Sequence, residues 1–379
     1  MFIRIELDKK LDNKSIENPL IKSYMDHDIK KFEKLINTGA NINCLTSKNI
    51  SLLSSVVMNH AEMDEDKNVK FFDLLISHNV HMGKICREPD ILKLALGRKE
   101  WRHYAKKLLD NGCDINKKYE RSDEFIGQNV STAFIQTIES GDIEKIKLVM
   151  EYNPDVKIKS SSNSPILTVM MNTIKLGFDY NLMKELIKRG ADPNEIDDQG
   201  RTCLHKAMYS TTCKKEFLDI LFENNVDINT KDNDGATPLI TSIGFGHIDS
   251  AKWLIEKNAK LDITDNNGMT AIMKSGCVKD YDKFKMLYDS NCNMSICDDI
   301  GWNVFHHLML HMKKENIKKY EYFFVKYNDL LYVKDKKGKT PLRILKEWHP
   351  DEHDKLCKRL KKLIKTTIPQ INNNYLIKN

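Results

Sequence analysis

The sequence predicts an all-α array of about ten stacked helix-turn-helix units. One observation is a recurring Asp-x-x-Gly, whose five glycines stand 35, 33, 33 and 37 residues apart. The others are a series of helix-capping residues and a series of Gly or Asn residues at the same period. A period near 33 residues is typical of a repeat array. The glycines are Gly200, Gly235, Gly268, Gly301 and Gly338.

The first helix of each unit is predicted to begin after a capping side chain. Ser, Thr, Asp and Asn can accept a hydrogen bond from an amide of the first helical turn, which otherwise has no partner. Proline follows four of these caps, at a position where its missing N–H costs nothing. An apolar residue always stands two positions beyond the cap and indicates the inward face. The predicted caps are Asn18, Ser51, Asp90, Thr132, Ser164, Thr202, Thr237, Thr270, Asn303 and Thr340.

The second helix of each unit is predicted from an apolar pair such as Leu254-Ile255, followed by a Gly or an Asn. These two residue types suit the left-handed conformation that closes many helices. A single unit cannot bury its apolar face, so neighbouring units must stack. The predicted stops are Gly39, Asn79, Gly112, Asn153, Gly190, Asn225, Asn258, Asn291 and Asn328.

The motifs resemble those of the ankyrin repeat family over nearly the whole chain. Gly235-Ala-Thr-Pro-Leu239 and Gly338-Lys-Thr-Pro-Leu342 are similar to its helix start, and Gly190-Ala-Asp192 is similar to its helix stop. The resemblance implies an ankyrin-repeat solenoid with links that project as β-hairpin fingers beside a concave face. It also implies that His205 and His306 form hydrogen bonds between units.

The ends depart from the repeat pattern, as terminal units do. We expect residues 1–17 to form an N-terminal cap, 18–354 the repeats, and 355–379 a C-terminal capping helix with a polar tail. An apolar stripe at helical spacing supports the capping helix. The stripe consists of Leu356, Leu360, Leu363 and Ile364.

Composition gives weaker indications. A net charge of +6 on 379 residues does not by itself favour a nucleic acid partner. Nine scattered cysteines without a Cys-x-x-Cys pair indicate reduced thiols, so we expect a cytoplasmic location, or the cytosol of a host if the chain is a viral or bacterial effector. The sequence shows no secretory signal and no apolar run of membrane-spanning length.

Catalytic signatures are not apparent. The chain has no phosphate-binding Gly-rich loop and no His-Glu-x-x-His. The pair His307 and His311 has helical spacing but no completed ligand set, and Cys203 with His205 has no third group to orient it. We therefore expect no enzymatic activity, no cofactor or metal, and no small-molecule substrate.

The predicted function is protein binding by a scaffold that is expected to be a monomer. Large aromatic side chains and Arg at surface positions are typical of binding hot spots, and the repeat itself does not require them. The predicted partner-binding residues are Arg201, Tyr209, Phe245, Met269, Trp302, His311 and Trp348.

Two alternatives remain open. One is a pathogen-type adaptor that binds a host protein and recruits other machinery, such as a ubiquitin ligase, through a terminal segment. The other is binding of nucleic acid or an anionic surface by the helix from Lys355 to Lys365, which carries six cations and no acid. A solvated capping face explains the same cations, so a nucleic acid partner is not expected.

Overall fold

The structure is a computed structural model. It describes residues 18–46, 50–59, 61–80, 91–98, 100–121, 129–160, 163–172, 180–210, 213–278, 280–311 and 317–367. The chain divides into two compact units, Met1–Ala191 and Asp192–Asn379. The predicted N-terminal cap and the predicted helix cap Asp90 lie outside the described residues.

Five successive helix pairs make up the described part of the first unit. Neighbouring first helices pack on one another, as do neighbouring second helices. The pairs are α1 (Pro19–Met25) and α2 (Ile29–Asn37), α3 (Leu52–Met58) and α4 (Glu65–Ser77), α5 (Ile91–Leu96) and α6 (Trp101–Asp110), α7 (Ala133–Ser140) and α8 (Ile143–Met150), and α9 (Ile166–Asn172) and α10 (Tyr180–Lys188). Two short antiparallel strands, β1 (Tyr119–Arg121) and β2 (Asn129–Ser131), precede α7.

The described part of the second unit also contains five pairs, with a short 3-10 helix before the last. The pairs are α11 (Cys203–Ala207) and α12 (Lys215–Glu223), α13 (Pro238–Phe245) and α14 (Ile248–Glu256), α15 (Ala271–Cys277) and α16 (Tyr281–Asp289), α17 (Val304–His311) and α18 (Ile317–Lys326), and α19 (Pro341–Trp348) and α20 (Pro350–Thr367). The first helices α11, α13, α15, α17 and α19 pack side by side. No helix among the residues described above is long and apolar enough to cross a bilayer.

The capping series explains where the first helices begin. Most predicted caps accept a hydrogen bond from an amide of the first turn, which confirms their role. Thr270 precedes α15 but makes no such bond, and its hydroxyl is buried without a partner. The confirmed caps are Asn18, Ser51, Thr132, Thr202, Thr237, Asn303 and Thr340.

The left-handed stops explain where the second helices end. Eight of the nine predicted residues have positive φ, from Gly39 to Asn291. The prediction for Asn328 is wrong, because this residue begins the 3-10 helix Asn328–Tyr332. That turn buries Leu330 and Leu331, and the Asn303 side chain donates to the Leu330 carbonyl at 2.8 Å. Core packing therefore overrides the local preference of Asn.

The links of the second unit are hairpin turns that an aspartate holds closed. In one link, Asp232 Oδ1 accepts from the amides of Asp234 at 3.0 Å and Ala236 at 2.9 Å. The Asp232 amide in turn donates to the Ala236 carbonyl at 3.0 Å. The other four links repeat this arrangement at Asp197, Asp265, Asp298 and Asp335. The Asp-x-x-Gly spacing thus follows from the geometry of one turn.

Consecutive links also contact each other closely. The Asn266 amide donates to the Asp234 carbonyl at 2.9 Å, and its side chain lies beside Gly235. A Cβ on Gly235 would stand 2.4 Å from Asn266 Oδ1, whereas a Cβ on Gly338 would meet nothing within 4 Å. Both glycines have positive φ, +74° and +73°.

The two glycines therefore form a matched test of link stacking. We expect Gly338→Ala to cost about 1 kcal/mol, because it meets only the left-handed backbone penalty. Gly235→Ala meets the same penalty and a steric clash, so it should cost at least about 1 kcal/mol more. Amide hydrogen exchange measures the local stability of the two links in each variant. Equal losses of stability would contradict the close approach of Asn266 to Gly235.

Helix α20 begins at Pro350, so the predicted boundary at residue 355 lies inside it. Leu356 and Leu360 are buried, and the helix packs on α18 and α19. Arg359 pairs with Glu321 at 2.7 Å, and Lys355 pairs with Glu352 at 3.2 Å. Lys355 and Arg359 are thus engaged within the unit.

Candidate partner-binding surface

Three of the predicted residues form a contiguous aromatic row, which consists of Arg201, Tyr209 and Phe245. The Tyr209 and Phe245 rings meet edge to face with centroids 4.4 Å apart. The Arg201 guanidinium lies 5.9 Å from the centre of the Tyr209 ring. Tyr209 follows α11, and Phe245 ends α13, so the row joins two neighbouring pairs. Phe245 is 58% exposed, which leaves its outer face open to a partner.

Arg201 is the fixed base of this row. Its Nε and Nη2 donate to Asp197 Oδ2 at 3.1 and 3.0 Å, and Lys206 Nζ lies 3.3 Å from the same oxygen. Burial acts to raise the pKa of Asp197, but the Arg201 amide and guanidinium and the Gln199 amide lower it overall. The carboxylate therefore stays charged and holds Arg201 beneath Tyr209.

Two further predicted residues lie at the same ends of other first helices. His311 ends α17, and Trp348 ends α19. Because the first helices pack side by side, these ends lie along one edge of the unit with Phe245. His311 is half-buried, whereas Trp348 is 65% exposed.

Met269 and Trp302 occupy the position after the link glycine, as Arg201 does. Both are half-buried. The Trp302 indole donates to Asp335 Oδ2 of the next link at 2.9 Å. It also stacks on the His306 ring, with the two ring centroids 5.8 Å apart. Trp302 is thus held between consecutive links, and only part of its ring is available to a partner.

Buried histidines join successive pairs. His205 Nδ1 accepts from the Thr202 amide at 3.2 Å, so its Nε2–H donates to the Ala236 carbonyl at 3.1 Å. In the same way, His306 Nδ1 accepts from the Asn303 amide at 3.1 Å, and its Nε2–H donates to the Lys339 carbonyl at 3.3 Å. The structure therefore confirms the expected hydrogen bonding between neighbouring repeats. Burial lowers the pKa of both imidazoles, because it disfavours the charged form.

The sequence reasoning missed several exposed apolar side chains. Ile196 and Ile300 lie in the links, and Phe222 and Tyr322 lie on second helices. Ile300 could have been found, because the central positions of Asp-x-x-Gly face solvent and an apolar residue there has no packing role. The second helices gave no such signal, since their exposed positions have no fixed offset from the motif.

Other types of site find less support. An open groove of about 410 Å³ between α12 and α14 is lined by five charged side chains, Lys215, Asp219, Glu223, Glu256 and Lys257. It lacks the apolar walls that small-molecule pockets use. Burial raises the pKa of Cys203 to about 12, which disfavours a nucleophilic thiolate. In the described parts of the chain, no group of three or more His, Cys, Asp or Glu residues could hold a metal ion.

Comparison with known proteins identifies the repeats. A family profile described as ankyrin repeats, in three copies, matches residues 134–232, 170–265 and 209–298. Residues 134–298 of the chain match ankyrin repeats. A putative ankyrin repeat protein of Fowlpox virus (strain NVSL) is 38% identical over 66 residues, which are 17% of this chain and 15% of the viral protein. The chain therefore spans under a sixth of that relative.

A solved structure also aligns with the repeats. It is the ankyrin repeat domain of Bcl-3, described as a unique member of the IkappaB protein family. The alignment has a TM-score of 0.49 and 17% identity, and it covers 60% of this chain and 98% of the other.

The buried histidines His205 and His306 predict an acid-sensitive second unit. A pKa lowered by folding means that the stability contributed by the neutral imidazole is fully present above the unfolded pKa, about 6.5. It is lost as the pH falls below that value, because protonation opposes the Thr202 and Asn303 amide donors. We expect the free energy of unfolding to fall between about pH 7 and pH 5.

Urea unfolding followed by circular dichroism at several pH values measures this change. His205→Gln keeps a donor for the Ala236 carbonyl and removes one titrating group, so its pH dependence should be weaker than that of the native chain. An unchanged dependence would show that His205 does not contribute.

A second prediction separates the structural role of Trp302 from that of Trp348. Trp302→Phe removes the indole donor from Asp335 and should cost about 1–2 kcal/mol. Trp348→Phe alters an exposed ring that makes no hydrogen bond with a described residue, so it should change stability by less than about 0.5 kcal/mol. Urea unfolding followed by far-UV circular dichroism compares the two, and equal effects would contradict the assignment.

Proposed function

We propose that the chain is a protein-protein interaction scaffold that binds its partner through the aromatic row and the adjoining helix ends. Ankyrin repeats are binding scaffolds, and the fold is typically not enzymatic. The observation that carries the proposal is Phe245, a 58% exposed aromatic ring held edge to face on Tyr209. Trp348 and His311 extend this surface along the same edge.

The side chains of the aromatic row are held in place by one another, which lowers the entropy loss on binding a partner. Asp197 fixes Arg201, Arg201 lies under Tyr209, and Tyr209 holds Phe245, so the exposed ring is ordered before a partner arrives. Preorganised side chains lose less conformational entropy on association. Aromatic rings with such support are typical of hot spots. Met269 and the exposed part of Trp302 lie at the base of the links and complete the proposed contact area.

The proposed partner is a protein, and the chain acts as a monomer without catalytic activity or cofactor. The free cysteines of the described residues support a cytosolic location, since they form no disulfide. The groove between α12 and α14 has charged walls, which supports a protein partner over a small-molecule ligand.

The double substitution Tyr209→Ala with Phe245→Ala tests this surface. A partner recovered by affinity purification and mass spectrometry is bound directly to the purified full chain. We expect the double variant to bind at least about thirtyfold more weakly, which corresponds to a loss of about 2 kcal/mol.

The matched control is Tyr322→Ala, which removes a ring of similar exposure, 61%, from the second helix α18. It should leave the affinity within about twofold. If the control weakens binding as much as the double variant, or if the double variant binds normally, the aromatic row is not the binding surface.

An adaptor role is the second candidate, because the fowlpox relative supports a host-directed function. In this role a host protein binds the aromatic row, and a second protein binds the exposed face of α20. Truncation is a poor test, since α20 buries Leu356 and Leu360. Lys358→Glu instead alters an exposed side chain of α20. An adaptor would lose the second protein with Lys358→Glu and keep the first.

A further inference from the structure

The last link differs from the other four in charge. Its central residues are Lys336 and Lys337, whereas the preceding link has Asp299 and Ile300 there. Lys334 lies at the start of this link, and Lys346 lies in the last turn of α19, the helix that follows it. All four lysines are exposed and form no ion pair with any described residue.

An ion-pair chain joins this link to the end of α19. Glu347 accepts from Lys339 Nζ at 2.5 Å and from Arg343 Nε at 3.2 Å, so the only acid on the exposed face of α19 is shared by two cations. The residue after Glu347 is Trp348, which is 65% exposed. Trp348 makes no hydrogen bond or ring contact with any described residue. The ion pair between Lys339 and Glu347 thus connects the basic link to the turn of α19 that carries Trp348.

We propose that the basic end surface, which consists of Lys334, Lys336, Lys337, Lys346 and Trp348, binds an acidic segment of a partner protein. The carboxylates pair with the lysines, and an apolar side chain of the segment covers the indole. The proposal rests on the proposed function, since Trp348 belongs to the binding edge, and it assigns the chemistry of the partner at that end.

A protein segment fits this surface better than a nucleic acid does. Three of the four lysines lie in a single link. The neighbouring link, whose Ile300 carbonyl accepts from the Lys336 amide at 3.0 Å, carries the exposed carboxylate of Asp299. Asp234, at the centre of the link that begins at Asp232, is also exposed. A phosphate backbone that ran along the links would meet these carboxylates, whereas a short acidic segment would not.

The test measures binding of a fluorescent synthetic peptide of Glu and Asp interrupted by leucine to the full chain at low ionic strength. We expect saturable binding that weakens as salt rises, since exposed charges are screened beyond about 8 Å at physiological salt. Lys336→Glu with Lys337→Glu should weaken binding at least about tenfold, and Trp348→Ala about fivefold.

The matched control is Lys252→Glu with Lys260→Glu, which makes the same change in net charge on exposed lysines of another repeat. Binding should stay within about twofold of the native chain. Circular dichroism of each variant checks that the helices are retained. Equal losses in the two double variants, or no binding of the peptide at low salt, would overturn the proposal.

A single-stranded oligonucleotide of equal charge is the competing probe. If it binds more tightly than the peptide and is lost with Lys336→Glu and Lys337→Glu, the surface is a nucleic acid site and the proposal is wrong. Tyr209→Ala with Phe245→Ala should retain peptide binding. A negative result for the basic end surface therefore leaves the proposal for the aromatic row untouched, and a negative result for the aromatic row leaves the proposal for the basic end surface untouched.

Discussion

The carboxylate at the start of each link is the interaction on which the second unit depends. Each link reverses the chain without a strand ladder, so its amides would otherwise lack partners. One carboxylate oxygen accepts two of them, as Asp298 does for Ile300 and Trp302 at 3.1 and 2.8 Å. The left-handed glycine completes the turn and lets the next link approach. The spacing of first helices, and therefore of the exposed side chains at their ends, follows from this turn.

The first unit reaches the same stacking by another route. Its described links lack the Asp-x-x-Gly turn, and a buried amide joins its first three helix pairs instead. Asn68 donates to the Val56 carbonyl at 2.7 Å and to the Tyr104 hydroxyl at 3.0 Å, while the Tyr24 hydroxyl lies 3.3 Å from its side-chain oxygen. A buried amide with every group paired specifies one arrangement of neighbours. Turns at the surface set how the helix pairs of the second unit stack. In the first unit, the buried polar network of Asn68 has this role for the pairs that it joins.

The repeat architecture was predictable because caps and stops are local chemistry. The Thr237 hydroxyl accepts from the amide of Ile240, three residues on, and Asn258 acts through its own backbone angle, so no distant residue decides either. Asn328 fails for the opposite reason, since Leu330 and Leu331 are drawn into the core. The candidate surface was only partly predictable. The sequence singles out Phe245 and Trp302 alike, but the half-burial of Trp302 depends on Asp335 in the next link, 33 residues away.

The position after the link glycine shows how such a surface can change without loss of the fold. Its amide and carbonyl are both bonded to the link aspartate, whichever side chain is present. Arg201, Met269 and Trp302 can therefore differ in charge and shape at one backbone geometry. The central link residues are similarly free, since Asp299 and Lys336 occupy equivalent turns with opposite charge. The turn requires only the Asp and the Gly, and the remaining side chains determine which partner the chain can recognise.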